Sequence, residues 1–200
     1  MNSLIQIEKS KIESIVNDSI NYLYPKFGIN DSGKPSPPRL SIGMLPRNVY
    51  AVFDYRDGDP ILKFDTYKLI GDLKITDQIE SILDLILGEE IGHLLHHHSN
   101  PDLYKYNLPD LDGSLIFIGE LIGHYSGLIY CNRNNGSMIF GLGAEADGIT
   151  GGAYKAADKL FKKHGDSKLL ELTKINTISE LNKKITDLLV KDLLIEYGDK

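Results

Sequence analysis

Glu89, Glu90 and His93 are the residues of this chain best placed to do chemistry, within a stretch from Asp77 to His98 that has the marks of a helix. At about 100° per residue, Ile79, Ile82, Leu83 and Ile86 make one apolar stripe, and Glu89, Glu90, His93 and His97 continue it. Residues with no task beyond solvation belong opposite, where Glu80, Ser81 and Asp84 fall. Carboxylates and imidazoles turned inward are costly unless they find a partner or a metal ion. The spacing suits one chemistry in particular. A carboxylate and an imidazole one turn apart, Glu89 and His93, can share a metal ion, and the adjacent Glu90 can accept a proton. His96 and His98 are read as a wet helix end favoured by the helix dipole.

Further ligands must come from other elements. Glu120 and His124 stand four apart in a second apolar helix, 112–131, where Gly119, Gly123 and Gly127 recur every fourth residue and permit a neighbouring backbone to approach. Glu120 and His124 can ligate directly, orient another ligand, or hydrogen-bond each other or the neighbouring helix. A third helix is expected from near Leu142, with Ala146, Ile149, Ala153, Ala156 and Leu160 on its apolar face and Glu145 at the edge. Asp147, Tyr154 and Asp158 are expected on the other side.

The rest of the chain must hold these helices together. Its 200 residues with 42% hydrophobic content suit one sizeable core, and a single domain over 1–200 is expected. A net charge of −6 argues against nucleic acid as a partner. One cysteine, Cys131, leaves no intrachain disulfide framework and no cysteine metal knuckle. The N-terminal sequence lacks a secretory pattern, so a cytoplasmic protein is expected, and Glu120 and His124 argue against a membrane span at 115–131.

An amphipathic helix is expected within 1–25, followed by a turn-rich connector, 27–38. Strands are expected at 39–45, 49–55 and 61–64, making a small sheet within 39–66. The Asp57-Gly58 turn pairs the last two antiparallel. The helical core spans 77–163, and Thr177 with Glu180 forms a capping box for a last helix, 177–197. The expected class is α+β: a small, mostly antiparallel sheet followed by packed helices.

The zincin signature is His-Glu-x-x-His, in which two imidazoles bind zinc and the Glu activates water. Here Glu89-Glu90-Ile91-Gly92-His93 puts a carboxylate where the first imidazole would be. Together with the run 46–53, the strand 61–64 and the later Ala144-Glu145-Ala146-Asp147, the ordered landmarks resemble gluzincin metallopeptidases of the CAAX-prenyl-endopeptidase and heat-shock-protease type. The resemblance implies Glu90 as the catalytic carboxylate, His93 as a zinc ligand, Glu89 in the position of the first ligand, and Asp147 matching the family Asp. It departs at Gly143, which stands where the family has a ligand Glu. Glu145 lies two residues on and faces about 160° away on a regular helix.

The functional expectation is a divergent zincin-like, metal-dependent peptidase or hydrolase acting on a peptide or small molecule. Its metal would be held by Glu89, His93 and one of Glu145, His124 or Glu120, with Glu90 handling the proton. Zinc is the expected ion, and the oxygen-rich shell also admits iron or manganese. Two alternatives use the same residues. One is a catalytically inactive, metal-free zincin-like scaffold or interaction protein, and the other a helical carboxylate/histidine metal-binding protein built on Glu90-x-x-His93.

Overall fold

The computed structural model describes residues 7–46, 49–55, 59–73, 79–101, 113–133 and 148–174, with 179, 180, 183 and 187, and only the backbone at 70–73 and 114. The elements run α1 (Lys9–Leu23), β1 (Arg39–Ile42), β2 (Ala51–Asp54), β3 (Ile61–Phe64), α2 (Thr66–Leu73), α3 (Ile79–Ser99), α4 (Gly113–Cys131), α5 (Gly148–His164) and α6 (Leu169–Thr173). The α+β class is as expected. The sheet is mixed: in the order β1-β3-β2, β1 runs parallel to β3 and β2 antiparallel to it.

The strand boundaries follow from local hydrogen bonding. Asp65 ends β3 and begins α2, its buried carboxylate accepting from the amides of Lys68 and Leu45 at 2.9 Å each. Those amides hold the Asp65 carboxyl below the usual range, so it stays ionised. Lys68 reaches back to donate to the carbonyls of Leu45 (2.9 Å), Pro46 and Val49 (3.1 Å). One turn of α2, an element not expected from the sequence, thus holds Leu45, Pro46 and Val49 in the connection from β1 to β2. That clamp sets where β2 lies above α3.

Helix α3 is the hub, packing on α4, α1 and β2. It is more deeply buried than a single stripe would make it, with Ile82, Leu83, Leu85, Leu87, Ile91, Leu94 and Leu95 all in the core. His96 is also buried, only 2% exposed, which corrects its reading as part of a wet helix end. Burial pushes its imidazole down to about 3. His98 is exposed, its Nε2 2.7 Å from the Gly33 carbonyl oxygen. The cap expected at Asp77 lies outside the described residues.

The α3–α4 contact is closer than ordinary side chains allow. A Cβ at Gly127 would stand 2.5 Å from the Leu85 carbonyl oxygen, and one at Gly92 2.6 Å from Ser126 Cβ. The glycines of both helices are therefore a steric requirement of this pairing, and they compensate for their cost in helix propensity. Helix α5 covers α4 with Ala153, Ala156, Ala157 and Leu160 buried. Gly148, where the described part of α5 begins, has φ 72°, outside the helical range. The helix start expected near Leu142 lies outside the described residues. Ile149, expected on the apolar face, is 45% exposed. Of the last helix, 177–197, positions 179, 180, 183 and 187 have helical backbone, and the remainder lies outside the described residues.

Two measurements test this packing. Gly127→Ala should destabilise the protein by about 1–3 kcal/mol in urea denaturation, because Leu85 offers backbone and cannot rotate away. An unchanged midpoint would mean the helices stand further apart. Because His96 is neutral in the fold and protonates near 6.5 when unfolded, its stabilising effect is present above pH 6.5 and is lost as pH falls toward 3. His96→Leu should flatten that acid limb.

Candidate metal centre

The inward charges of α3 meet those of α4 where the glycine strip brings the two helices together. A Cβ at Gly123 would stand 2.6 Å from His93 Cε1 and Nε2, so the imidazole lies against the backbone of α4. Glu120 is one turn before Gly123 on the same helix. One ligand atom each from Glu89, His93 and Glu120 lie within 4.8 Å of one another, and all three residues are half-buried. The structure thus holds a Glu/His/Glu cluster able to coordinate a divalent ion. Donors bonded to one ion at about 2.1 Å stand at most about 4.2 Å apart, so ligation calls for only a small rotamer adjustment.

Behind this cluster Glu89 is held from both sides. Tyr154 donates its hydroxyl to Glu89 Oε1 at 2.5 Å, and His124 Nδ1 donates to Oε2 at 3.1 Å. The His124 Nε2 is 3.5 Å from Asp158 Oδ1, and the imidazole stacks on the Tyr154 ring at 4.2 Å. Each oxygen of Glu89 thereby uses one lone pair on a protein donor and keeps another for an ion.

The electrostatics follow from this arrangement. Burial acts to raise the Glu89 carboxyl, but the hydrogen bond and charge of His124, then His93 and the Tyr154 hydroxyl, outweigh it and hold it below the usual range. Burial acts to lower His124, and its contacts with Asp158 and Glu89 more than reverse this, lifting it to about 9. Tyr154 is pushed up by burial and by the charges of Glu89 and Glu120, so its hydroxyl stays a donor.

The other two carboxylates are less well compensated. Burial pushes Glu120 up, with the Glu89 charge adding to it against the pull of His93 and His124. Burial likewise lifts Glu90 to about 7, against the pull of His93 and a hydrogen bond from the Phe53 amide to Glu90 Oε2 at 2.6 Å. A site with three carboxylates, two of them pushed toward protonation, has the donor chemistry of a cation site whose ligands give up protons as the ion enters.

Of the residues singled out from the sequence, Glu89, His93 and Glu120 come together. His124 stands behind Glu89, between it and Asp158. Glu145 and Asp147 lie outside the described residues. His97 faces the aromatic side chains of β2 and its flank, 4.0 Å from the Tyr55 ring and 6.5 Å from Phe53 between centroids.

Tyr154 and Asp158, expected to face away from the core, point instead into the polar cluster, and this corrects the orientation of α5. Their signal was the spacing 151, 154, 158: these residues share one helical face, and a buried glycine there marks close packing. The Phe53 amide carried no side-chain signal at all.

The helices themselves place no constraint on a membrane role beyond one fact: none among the described residues is long and apolar enough to cross a bilayer. Compared with protein-family models, curated proteins and solved structures, the chain matches none.

His124 gives the site a pH signature. Its folded pKa of about 9 exceeds the unfolded 6.5, so its contribution is fully present below 6.5 and is lost as pH rises through 9. In the metal-free protein, His124→Gln should therefore cost more stability at pH 6 than at pH 9.5, by up to about 3 kcal/mol. An equal penalty at both pH values would show that His124 is not held in its charged form.

Proposed function

We propose that this chain is a zincin-like, metal-dependent hydrolase, with peptides as its substrate class. Glu89, His93 and Glu120 hold the divalent ion, zinc in the first instance, and Glu90 is the general base. The observation that carries this reading is the convergence of one imidazole and two carboxylates from α3 and α4, with a fourth titratable group, Glu90, directly beside them. It leaves Glu120 as the best-supported third ligand among those expected from the sequence. Glu145 remains an expectation outside the described residues, and His124 acts by orienting Glu89.

The ion would act as a Lewis acid toward water and a carbonyl oxygen. Glu90, lifted to about 7, is suited to take a proton and return it near neutral pH. The His124 imidazole and the Tyr154 hydroxyl keep Glu89 ionised and fixed in orientation. An extended peptide would lie along β2, the edge strand of the described sheet, which passes over α3 at Glu90.

A second reading, an inactive and metal-free scaffold, draws support from the same network, because Glu89, His124, Tyr154 and Asp158 partner one another without an ion. Equilibrium dialysis against zinc, manganese and iron(II) separates the two. The hydrolase reading expects one ion per chain, with affinity reduced at least about tenfold in His93→Ala and Glu120→Gln and proton release on uptake. Glu90→Gln should keep the ion and lose about 10²- to 10⁴-fold of casein hydrolysis. A chain that takes up no ion after reconstitution would establish the scaffold.

A further inference from the structure

Glu90 accepts a hydrogen bond from a backbone amide, that of Phe53, and the topology explains why that amide is available. Tyr50 accepts from the Asp65 amide at 2.8 Å, and the antiparallel register places Val52 opposite Lys63 and Phe53 opposite Leu62. Hydrogen-bonded and non-hydrogen-bonded pairs alternate along such a ladder. With Tyr50 bonded to β3, Val52 and Asp54 are bonded as well, and Phe53 turns its N–H outward. In the described sheet β2 is an edge, so this outward amide faces α3 and is satisfied by Glu90 Oε2 at 2.6 Å.

We propose that the Phe53 backbone amide is the positioning group for Glu90: it holds one carboxylate oxygen on the strand so that the other is presented beside the Glu89–His93–Glu120 cluster. The proposal rests on the metal reading above and adds to it how the base is oriented. A carboxylate on two rotatable carbons would otherwise sample several rotamers. A single short hydrogen bond from β2, whose preceding segment is held by Lys68 and Asp65, restricts that freedom. It also couples sheet to helix, because a shift of β2 along its length carries the base with it. A ligand backbone pairing with β2 must leave the Phe53 amide to Glu90.

Amide hydrogen exchange followed by NMR tests this in the full-length protein, first without metal and then with zinc. In the metal-free protein the Phe53 amide should exchange about tenfold more slowly than in Glu90→Ala, the factor expected for a hydrogen bond. Glu90→Gln, which keeps a neutral acceptor, should restore part of the protection. It also serves as the folded comparison if Glu90→Ala fails to fold. On zinc addition, His93 ring resonances should shift while Phe53 stays protected.

Protection that is the same in all three proteins would overturn the proposal. So would Phe53 losing protection as His93 shifts, because Glu90 would then be parked on the strand and leave it when the ion arrives. His93 unmoved by zinc would instead sink the metal reading, and the positioning role with it, while the comparison among metal-free variants would still report whether Glu90 and Phe53 are in contact.

Discussion

The close approach of α3 and α4 is the constraint on which the remaining structure depends. Glycines on both helices let the backbones come together where any Cβ would collide with a carbonyl, a serine or an imidazole. Close approach is what brings these three half-buried side chains into one cluster, since Glu120 could not reach Glu89 and His93 if α4 stood a side chain's width further off. The same geometry rests His93 on bare backbone at Gly123. Intrinsic helix stability is given up at these glycines for a site that only close packing can build.

Charge is distributed unevenly around that contact. Glu89 is ringed by His124, Tyr154 and, through His124, Asp158, and it stays ionised in spite of its burial. Glu90 and Glu120 have less compensation and are pushed toward the protonated form. A metal-free core would be more comfortable with fewer acids. A cation held by the cluster would let all three carboxylates ionise together.

Much of this was legible in the residues. The α3 and α4 segments, the antiparallel pairing of β2 with β3 and the glycine spacing of α4 are local signals, and local signals survive folding. Others depend on how one element is rotated against another many residues away. Tyr154 and Asp158 looked like solvent-facing polar residues because the apolar pattern of α5 is made of small side chains, which define a face weakly. His96 reads as part of a wet helix end because α6 and the Phe27 region, which reach that end of α3, carry no pattern that points to it. The placement of β1 beside β3 had no local signal, because β2 lies between them in sequence but not in space. The role of the Phe53 amide belongs to the backbone, so no residue type could have announced it.

Anomalous diffraction at the zinc edge, from crystals grown with one equivalent of zinc, tests the central claim most directly. The account predicts a single strong peak about 2.0–2.2 Å from a His93 nitrogen and from one oxygen each of Glu89 and Glu120. A peak elsewhere on the chain with this cluster empty, or a zinc ion bound by His124 with Glu120 turned away, would contradict it.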